Sequence, residues 1–210
     1  MHRRILITLL FALLTCVRPA YPEEPAPKQT VYDFSLVDMD GKVVPLSTYK
    51  GKLLLIVNVA SKSLYHDQLD ALSELQKSYA DKGLVVIGVP SPDFGGEELK
   101  DAAAVRQYYD DAHLSFPVFA PATLHGVHTI PLYKFLCNAK ESVPGGDIHW
   151  NFTKFLIDRK GAPLARYEVG EDPAEVSFHV LVENALDGKL KKKGADKSKD
   201  NASEGDDDED

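Results

Sequence analysis

A serine and a histidine, Ser63 and His66, lie close enough in sequence for a hydroxyl and an imidazole to act together. Such a pair suggests acyl transfer, in which the imidazole takes the proton from an attacking hydroxyl. No G-x-S-x-G nucleophile elbow surrounds Ser63, however, and the pair falls at a predicted helix start. Serine is a favoured helix cap, so we expect Ser63 to cap a helix that begins near Leu64 rather than to act as a hydrolase nucleophile.

Cysteine and histidine supply the other candidate chemistry. Cys137 ends an apolar string at residues 133–137, where we expect a half-buried inert thiol; a relocated redox thiol is the alternative. His125 and His128 share one loop, but the histidines form no set with metal-ligand spacing. We therefore expect no metal site.

Alternating apolar and amphipathic segments must position these residues. Residues 53–59 and 84–89 are continuous apolar runs, as expected of strands covered on both faces. Leucines at helical spacing predict a helix over residues 64–82. The other predicted elements are a strand at 31–37 with a hairpin partner at 43–46, a helix at 97–112, a short strand at 116–119, a short helix at 131–139, a strand hairpin of 152–157 and 164–169, and a closing helix at 173–186 with Pro173 in its first turn.

This order of elements predicts one α/β domain. A strand–helix–strand unit with buried runs implies a parallel central pair and a right-handed crossover, with antiparallel strands completing the sheet. Ligands of such sheets bind beyond the carboxyl ends of the strands. Here those ends are residues 58–63 and 89–94.

The segments at these strand ends resemble the glutathione peroxidase family. The most specific strings are N-V-A-S-K at residues 58–62 and W-N-F-T-K-F-L at residues 150–156. Further matching strings follow in the family's order: Tyr32-Asp33-Phe34, Gly51-Lys52, F-G-G-E-E at 94–98 and P-L-Y-K-F-L at 131–136. The resemblance covers almost all of residues 31–170. It implies a thioredoxin-like fold, with a central mixed β-sheet flanked by helices and an N-terminal β-hairpin.

The resemblance also implies a site. In that family a cysteine or selenocysteine directly after N-V-A-S-K reduces hydroperoxides, beside a glutamine, a tryptophan and an asparagine. Residue by residue, the nucleophile position is Ser63, the glutamine position is Asp93, and Trp150 and Asn151 are kept. Leu64 replaces a family glycine, and we expect it to restrict the backbone and hinder approach to Ser63. Residues 97–112 lack the resolving cysteine of thioredoxin-dependent members.

Serine cannot do the chemistry of the residue it replaces. A thiolate attacks the O–O bond and becomes a sulfenic acid, whereas a hydroxyl oxygen has no comparable oxidation state. An ionised Asp93 only accepts hydrogen bonds and would repel a peroxide anion. We therefore predict a catalytically impaired or inactive family member that acts as a binding or structural protein.

An active thiol peroxidase that uses Cys137 is the alternative. Glutathione or another thiol would be the reductant only in that case. A hydroperoxide or a thiol is the expected ligand, and no cofactor is expected.

The two ends of the chain differ from the domain predicted at residues 31–187. Arg3 and Arg4 precede an apolar run at residues 5–14 that is too short to span a bilayer. This pattern predicts a signal peptide over residues 1–20, export, and no membrane association in the mature form; an uncleaved anchor and a lipoprotein acylated at Cys16 are the alternatives. Residues 21–30 form a proline-rich, charged entry segment, and residues 188–210 form a lysine-rich and then acidic tail that we expect to be disordered.

Composition and cysteine usage narrow the partners. A net charge of −8 argues against a general nucleic-acid binder. Removal of the signal peptide would take Cys16 and leave one thiol, Cys137, with no internal disulfide.

The stretch between Phe119 and Pro131 is short. In this it resembles the monomeric members of the glutathione peroxidase family, so we expect a monomer. The sequon at Asn151 begins a predicted buried strand, so we expect it to be a poor glycosylation acceptor.

Overall fold

The computed structural model describes residues 28–138 and 145–190, which contain the domain. The predicted signal peptide, most of the predicted entry segment and the tail beyond Leu190 lie outside the described residues. In chain order the strands and helices are β1 (Ser35–Val37), β2 (Val43–Pro45), β3 (Leu53–Val59), α1 (Gln68–Tyr79), β4 (Leu84–Pro90), α2 (Ala102–Asp111), α3 (Pro131–Cys137), β5 (Lys154–Ile157), β6 (Pro163–Tyr167) and α4 (Val176–Leu186). Within the described ranges no helix is long and apolar enough to cross a bilayer.

A four-stranded mixed sheet in the order β4-β3-β5-β6 forms the centre of the molecule. Strands β3 and β4 are parallel over their full length, while β5 pairs antiparallel with both β3 and β6. Strands β1 and β2 form a separate antiparallel hairpin. Because β5 runs opposite to β3, the start of β5 lies at the same sheet edge as the ends of β3 and β4.

Both faces of the sheet are buried, which explains the continuous apolar run of β3. Alternate residues of β3 belong to two different core clusters. Leu55 packs in the cluster that contains Leu72 of α1 and Phe178 of α4. Ile56 packs on the opposite face, with Tyr133 of α3. The sheet therefore lies between two apolar layers, as a doubly covered parallel pair requires.

Three predicted helices begin later than their sequence patterns suggested. Helix α1 begins at Gln68 rather than Leu64, because residues 63–69 form successive turns closed by i→i+3 hydrogen bonds. Helix α2 begins at Ala102, where the side chain of Asp101 accepts a hydrogen bond from the backbone N–H of Ala104. Pro173 precedes α4, which begins at Val176, so it is not a first-turn proline.

The predicted strands also differ at their ends. Thr30 and Asp33 form a capping box, which turns Val31–Asp33 into a 3₁₀ turn ahead of β1. Phe152 has a φ of 61°, a conformation incompatible with an extended strand, so β5 begins only at Lys154. Residues 116–119 make isolated bridges, from Val118 to Gly88 and from Phe119 to Asp38, instead of a strand.

Candidate functional site

Three loops meet at the edge of the sheet where β3 and β4 end. The loop after β3 carries Ser63, the loop after β4 carries Asp93, and the segment before β5 carries Trp150 and Asn151. Backbone hydrogen bonds join these loops: the N–H of Lys62 donates to the carbonyl of Glu97 (2.8 Å). The sheet therefore positions the backbones of all four predicted site residues at one edge.

Ser63 is fully buried, and its polar atoms serve the local turn. Its hydroxyl oxygen lies 3.4 Å from the backbone N–H of Tyr65, which donates to it. The Nδ1 of His66 lies 2.8 Å from the carbonyl oxygen of Ser63, and its Nε2 lies 3.3 Å from a carboxylate oxygen of Asp67. The imidazole is therefore bound to the carbonyl rather than to the hydroxyl, and Ser63 is not activated by His66.

The prediction that Ser63 caps a helix beginning near Leu64 is wrong, because the helix begins four residues later. The residue preceding α1 is Asp67, whose side chain makes no capping hydrogen bond. Ser63 instead stabilises the turn ahead of the helix, because its carbonyl and its hydroxyl both accept hydrogen bonds from that turn.

Leu64 does not cover the serine beside it. Leu64 is 89% exposed, while Ser63 is 0% exposed. Leu64 is also absent from the residues with positive φ, so its backbone does not require the conformational freedom of glycine. Leu64 therefore extends into solvent beside Ser63, and hindered approach to Ser63 stays a prediction.

Asp93 is tied to a neighbouring loop. Its carboxylate oxygen Oδ2 accepts hydrogen bonds from the backbone N–H groups of Leu124 (2.5 Å) and His125 (3.1 Å). Its own backbone N–H donates to the hydroxyl of Ser91 (3.3 Å). An acceptor-only side chain suits this role, because both partners are donors. The carboxylate at the glutamine position of the resemblance thus fixes residues 124–125.

Trp150 and Asn151 hold the loop after β4 against β5. Trp150 is 38% exposed, and its ring lies over Gly95, where an added Cβ would be 3.1 Å from the ring carbon Cη2. Asn151 is fully buried, and its Nδ2 donates to the carbonyl of Phe94 (3.1 Å) and to a carboxylate oxygen of Glu97 (2.9 Å). The burial of Asn151 and its two donated hydrogen bonds agree with a poor glycosylation acceptor.

A buried carboxylate, Glu98, was missed by sequence reasoning. It is 1% exposed and accepts hydrogen bonds from the hydroxyl and backbone N–H of Ser61, the backbone N–H of Leu99 and the hydroxyl of Tyr109. Burial, and then the Glu98 charge, raise the pKa of Tyr109 far above its ordinary value. Glu98 therefore fastens the Ser63 loop to α2. Its place in the G-G-E-E string was a signal, but neither its burial nor its partners could be deduced from that string.

A buried lysine lies under the same edge. Lys154 is 0% exposed, and its ammonium donates to the carbonyl oxygens of Phe152 (2.9 Å) and Glu168 (3.4 Å). Burial lowers the pKa of Lys154 to about 8, against the opposing charges of Asp172, Glu171 and Glu168. Its sequence context, inside an apolar strand, was the signal that could have found it.

Cys137 lies at the end of α3, outside this group of loops. Burial raises the pKa of its thiol, although the nearby Arg166 acts in the opposite direction. The thiol is half-buried, and because its pKa is raised it is mostly protonated at neutral pH.

In the described parts of the chain no three His, Cys, Asp or Glu side chains lie together as a metal site would require.

Comparisons with known proteins place these features in context. The sequence model of the family described as Glutathione peroxidase matches residues 31–137. A probable phospholipid hydroperoxide glutathione peroxidase of Solanum lycopersicum is 40% identical over 150 residues, 70% of this chain and 89% of the relative. A glutathione peroxidase of Lactococcus lactis subsp. cremoris is 36% identical over 150 residues, 71% of this chain and 96% of the relative.

Solved structures support the fold. The apo form of Trgpx has a TM-score of 0.62 at 28% identity and covers 77% of this chain and 97% of its own. T. cruzi GPX1 has a TM-score of 0.59 at 31% identity, with 76% and 97% covered. With the mixed sheet, the flanking helices and the N-terminal hairpin, these matches confirm the predicted thioredoxin-like fold.

Proposed function

Since this chain belongs to the glutathione peroxidase family, we propose that it keeps the family's frame without its peroxidase turnover and acts as a binding or structural protein. The observation that carries the proposal is Ser63, which stands where the resemblance puts the attacking thiol or selenol. Peroxide reduction forms a bond between sulfur and one peroxide oxygen while the O–O bond breaks. In this step the sulfur gives up two electrons and the other peroxide oxygen leaves as water or an alcohol, and a serine oxygen cannot supply those electrons.

The surroundings of Ser63 also support the proposal. The imidazole of His66 is engaged by a backbone carbonyl, so it is not aligned with the Ser63 hydroxyl. The Asp93 carboxylate stabilises residues 124–125 instead of offering the amide donor of a glutamine. Serine at position 63 and aspartate at position 93 are both compatible with stable folding, because each side chain has hydrogen bonds of its own.

Cys137 is a weak substitute for the missing nucleophile. Its thiol is protonated at neutral pH because burial raises its pKa, and the thiolate is the reactive form. It also ends α3, whereas the loops that carry Ser63 and Trp150 follow β3 and precede β5. Activity through Cys137 would therefore need a second site with its own activation.

One experiment tests the proposal at the level of the reacting atom. Purified protein is mixed with one equivalent of hydrogen peroxide or phosphatidylcholine hydroperoxide, without reductant. The masses of its proteolytic peptides are then measured by mass spectrometry. We expect the peptide containing Ser63 to keep its mass and the hydroperoxide to remain. Loss of the hydroperoxide with oxygen added at Cys137, and abolished by Cys137→Ser, would instead support the thiol-peroxidase alternative.

A further inference from the structure

The segment that carries Trp150 and Asn151 has a strained backbone just ahead of β5. Phe152 is fully buried and has a φ of 61°, a conformation that bulky side chains rarely adopt. Such a conformation persists only where the surrounding structure holds it in place. The contacts of residues 150–153 therefore determine how this segment lies against the loop after β4.

Neutral hydrogen bonds join the segment to the centre of the sheet. The backbone N–H of Phe152 donates to the carbonyl of Asn58 (2.7 Å), and the Nδ2 of Asn58 donates to the carbonyl of Trp150 (3.1 Å). The hydroxyl of Thr153 also donates to the carbonyl of Trp150 (3.2 Å). None of these groups titrates near neutral pH, so this set of contacts is the same in every protonation state of the protein.

Lys154 adds a charged contact to the same segment. It is fully buried, and its ammonium donates to the carbonyl oxygens of Phe152 (2.9 Å) and Glu168 (3.4 Å). A hydrogen bond from a charged donor is roughly twice as strong as one from a neutral donor. The charge of Lys154 thus determines how firmly the Phe152 carbonyl is held in its strained conformation.

Strand β6 and the loop after it supply charged groups that face Lys154. Burial lowers the pKa of Lys154 to about 8, against the opposing charges of Asp172, Glu171 and Glu168. The carboxylate of Glu168 is itself paired with Arg166, whose Nε lies 2.8 Å from it. The ammonium therefore loses its proton within the range of pH in which the fold is intact.

The remaining neighbours of Lys154 stay uncharged while it titrates. Tyr167 lies opposite Lys154 in the strand register, and burial, with the charge of Glu171, raises the pKa of Tyr167 to about 12. Strand β3 places the apolar Val57 opposite Lys154. Helix α1 contributes the amide of Gln68, which donates to the loop after β6.

We propose that Lys154 is a charge-dependent clamp on residues 150–152, which holds Trp150 against Gly95 when its amine is protonated and releases it when the amine is neutral. The neutral amine donates more weakly, so the Phe152 carbonyl turns and the strain at its φ relaxes. The cost of burying a charge disappears in the same step, so the segment loosens while the fold as a whole is not destabilised. The clamp sets the shape of the loop edge and does not depend on whether the chain turns over peroxide.

Trp150 is the single tryptophan of the chain, so its fluorescence reports on this segment. The emission maximum and the acrylamide quenching of the natural protein are measured between about pH 6.5 and 9.5. We expect one transition near pH 8, with emission at longer wavelength and stronger quenching on the alkaline side, because the ring becomes more exposed. Emission and quenching that are constant over this range would overturn the proposal.

Two variants of Lys154 separate its charge from its bulk. Lys154→Arg stays charged over the whole range and should keep the emission of the acid form without a transition. Lys154→Met is never charged and should show the emission of the alkaline form at every pH. A transition that persists in Lys154→Arg would belong to another group, such as the adjacent His149, and would contradict the clamp.

Variants at exposed positions extend the test to proteins that keep the buried lysine. The charge of Glu171 favours the protonated amine, so Glu171→Gln should move the fluorescence midpoint to lower pH. Asp81→Asn is the matched control, because Asp81 is exposed and precedes the opposite end of β4, and its midpoint should equal that of the natural protein. Equal midpoints in the two variants would show that the transition does not arise from Lys154.

Discussion

Single atoms decide the chemistry at position 63. An oxygen stands where the resemblance requires sulfur or selenium, and its neighbours have acquired other tasks. The His66 ring binds a carbonyl, and the Asp93 carboxylate binds two backbone N–H groups. These side chains stabilise loops that in an active relative would present a nucleophile to a hydroperoxide.

Restoring sulfur tests whether the frame remains competent. We expect Ser63→Cys combined with Asp93→Gln to consume hydrogen peroxide in the presence of a thiol reductant, because the double variant regains both the oxidisable atom and an amide donor. The double variant Ser63→Ala with Asp93→Gln should consume hydrogen peroxide no faster than a control without protein. Equal rates for the two double variants would show that more than these side chains has been lost.

Lys154 predicts a pH dependence of stability. Burial lowers its folded-state pKa from 10.5 to about 8. Below pH 8 the folded state carries the cost of the buried charge. Between about pH 8 and 10.5 the unfolded chain binds more protons than the folded one, so stability rises with pH, by at most about 3 kcal/mol.

Urea unfolding measured between pH 7.5 and 9.5 checks this behaviour of Lys154. We expect the rise in unfolding free energy to be absent in Lys154→Met, which has no ionisable group at this position. Parallel pH curves for the two proteins would exclude the lysine as the cause.

At the scale of the elements, the sheet positions the site and the loops determine its contents. Strands β3 and β4 end together, and β5 begins beside them, so three loops converge regardless of their sequences. Glu98 then joins the loop after β3 to α2 by accepting four hydrogen bonds. This buried network links the sheet edge to that helix.

Removing one acceptor oxygen from this network should destabilise the fold. Glu98→Gln keeps the shape of the side chain but replaces one carboxylate oxygen by an NH₂ group, which cannot accept hydrogen bonds from the donors around it. We therefore expect the free energy of unfolding to fall by about 2–4 kcal/mol, measured by chemical denaturation. Glu97→Gln is the matched control, with an expected change below about 1 kcal/mol, because Glu97 is only partly buried. Equal losses in both variants would argue against a special role for Glu98.

An element could be predicted from the sequence where burial alone defines its pattern, and could not where specific hydrogen bonds define it. Strands β3 and β4 could be predicted because both faces of the sheet are covered, which requires uninterrupted apolar runs. The start of α1 could not, because the turns over residues 63–67 depend on hydrogen bonds of Ser63 that compete with helix. Likewise the positions of Ser63, Asp93, Trp150 and Asn151 could be predicted, but the partners of Asp93 depend on a loop whose path only the tertiary structure defines.

At the scale of the whole molecule, the described domain has an apolar layer on each face of its sheet and carries the loops around Ser63 at one edge. Asp93 ties those loops to residues 124–125, because its loop follows β4 and its carboxylate accepts hydrogen bonds from the backbone N–H groups of Leu124 and His125. We propose that the mature protein is exported and monomeric, on the basis of the N-terminal pattern and the short connection before α3.

Export makes a prediction about the mature chain. If residues 1–20 are removed, the purified exported protein should have an intact mass that lacks them and should show one thiol under denaturing conditions, that of Cys137. Light scattering should give the mass of one chain. Two thiols, or an intact mass that includes the first residues, would contradict cleavage, and a stable oligomer would contradict the monomer.

The most direct measurement is the steady-state turnover of hydroperoxide by the natural protein. Purified protein is supplied with hydrogen peroxide or phosphatidylcholine hydroperoxide and with glutathione or thioredoxin as reductant. The serine at position 63 predicts consumption no faster than in the protein-free control, for both substrates and both reductants. Sustained turnover would contradict the proposed loss of catalysis, and Cys137→Ser would then show whether that turnover depends on the Cys137 thiol.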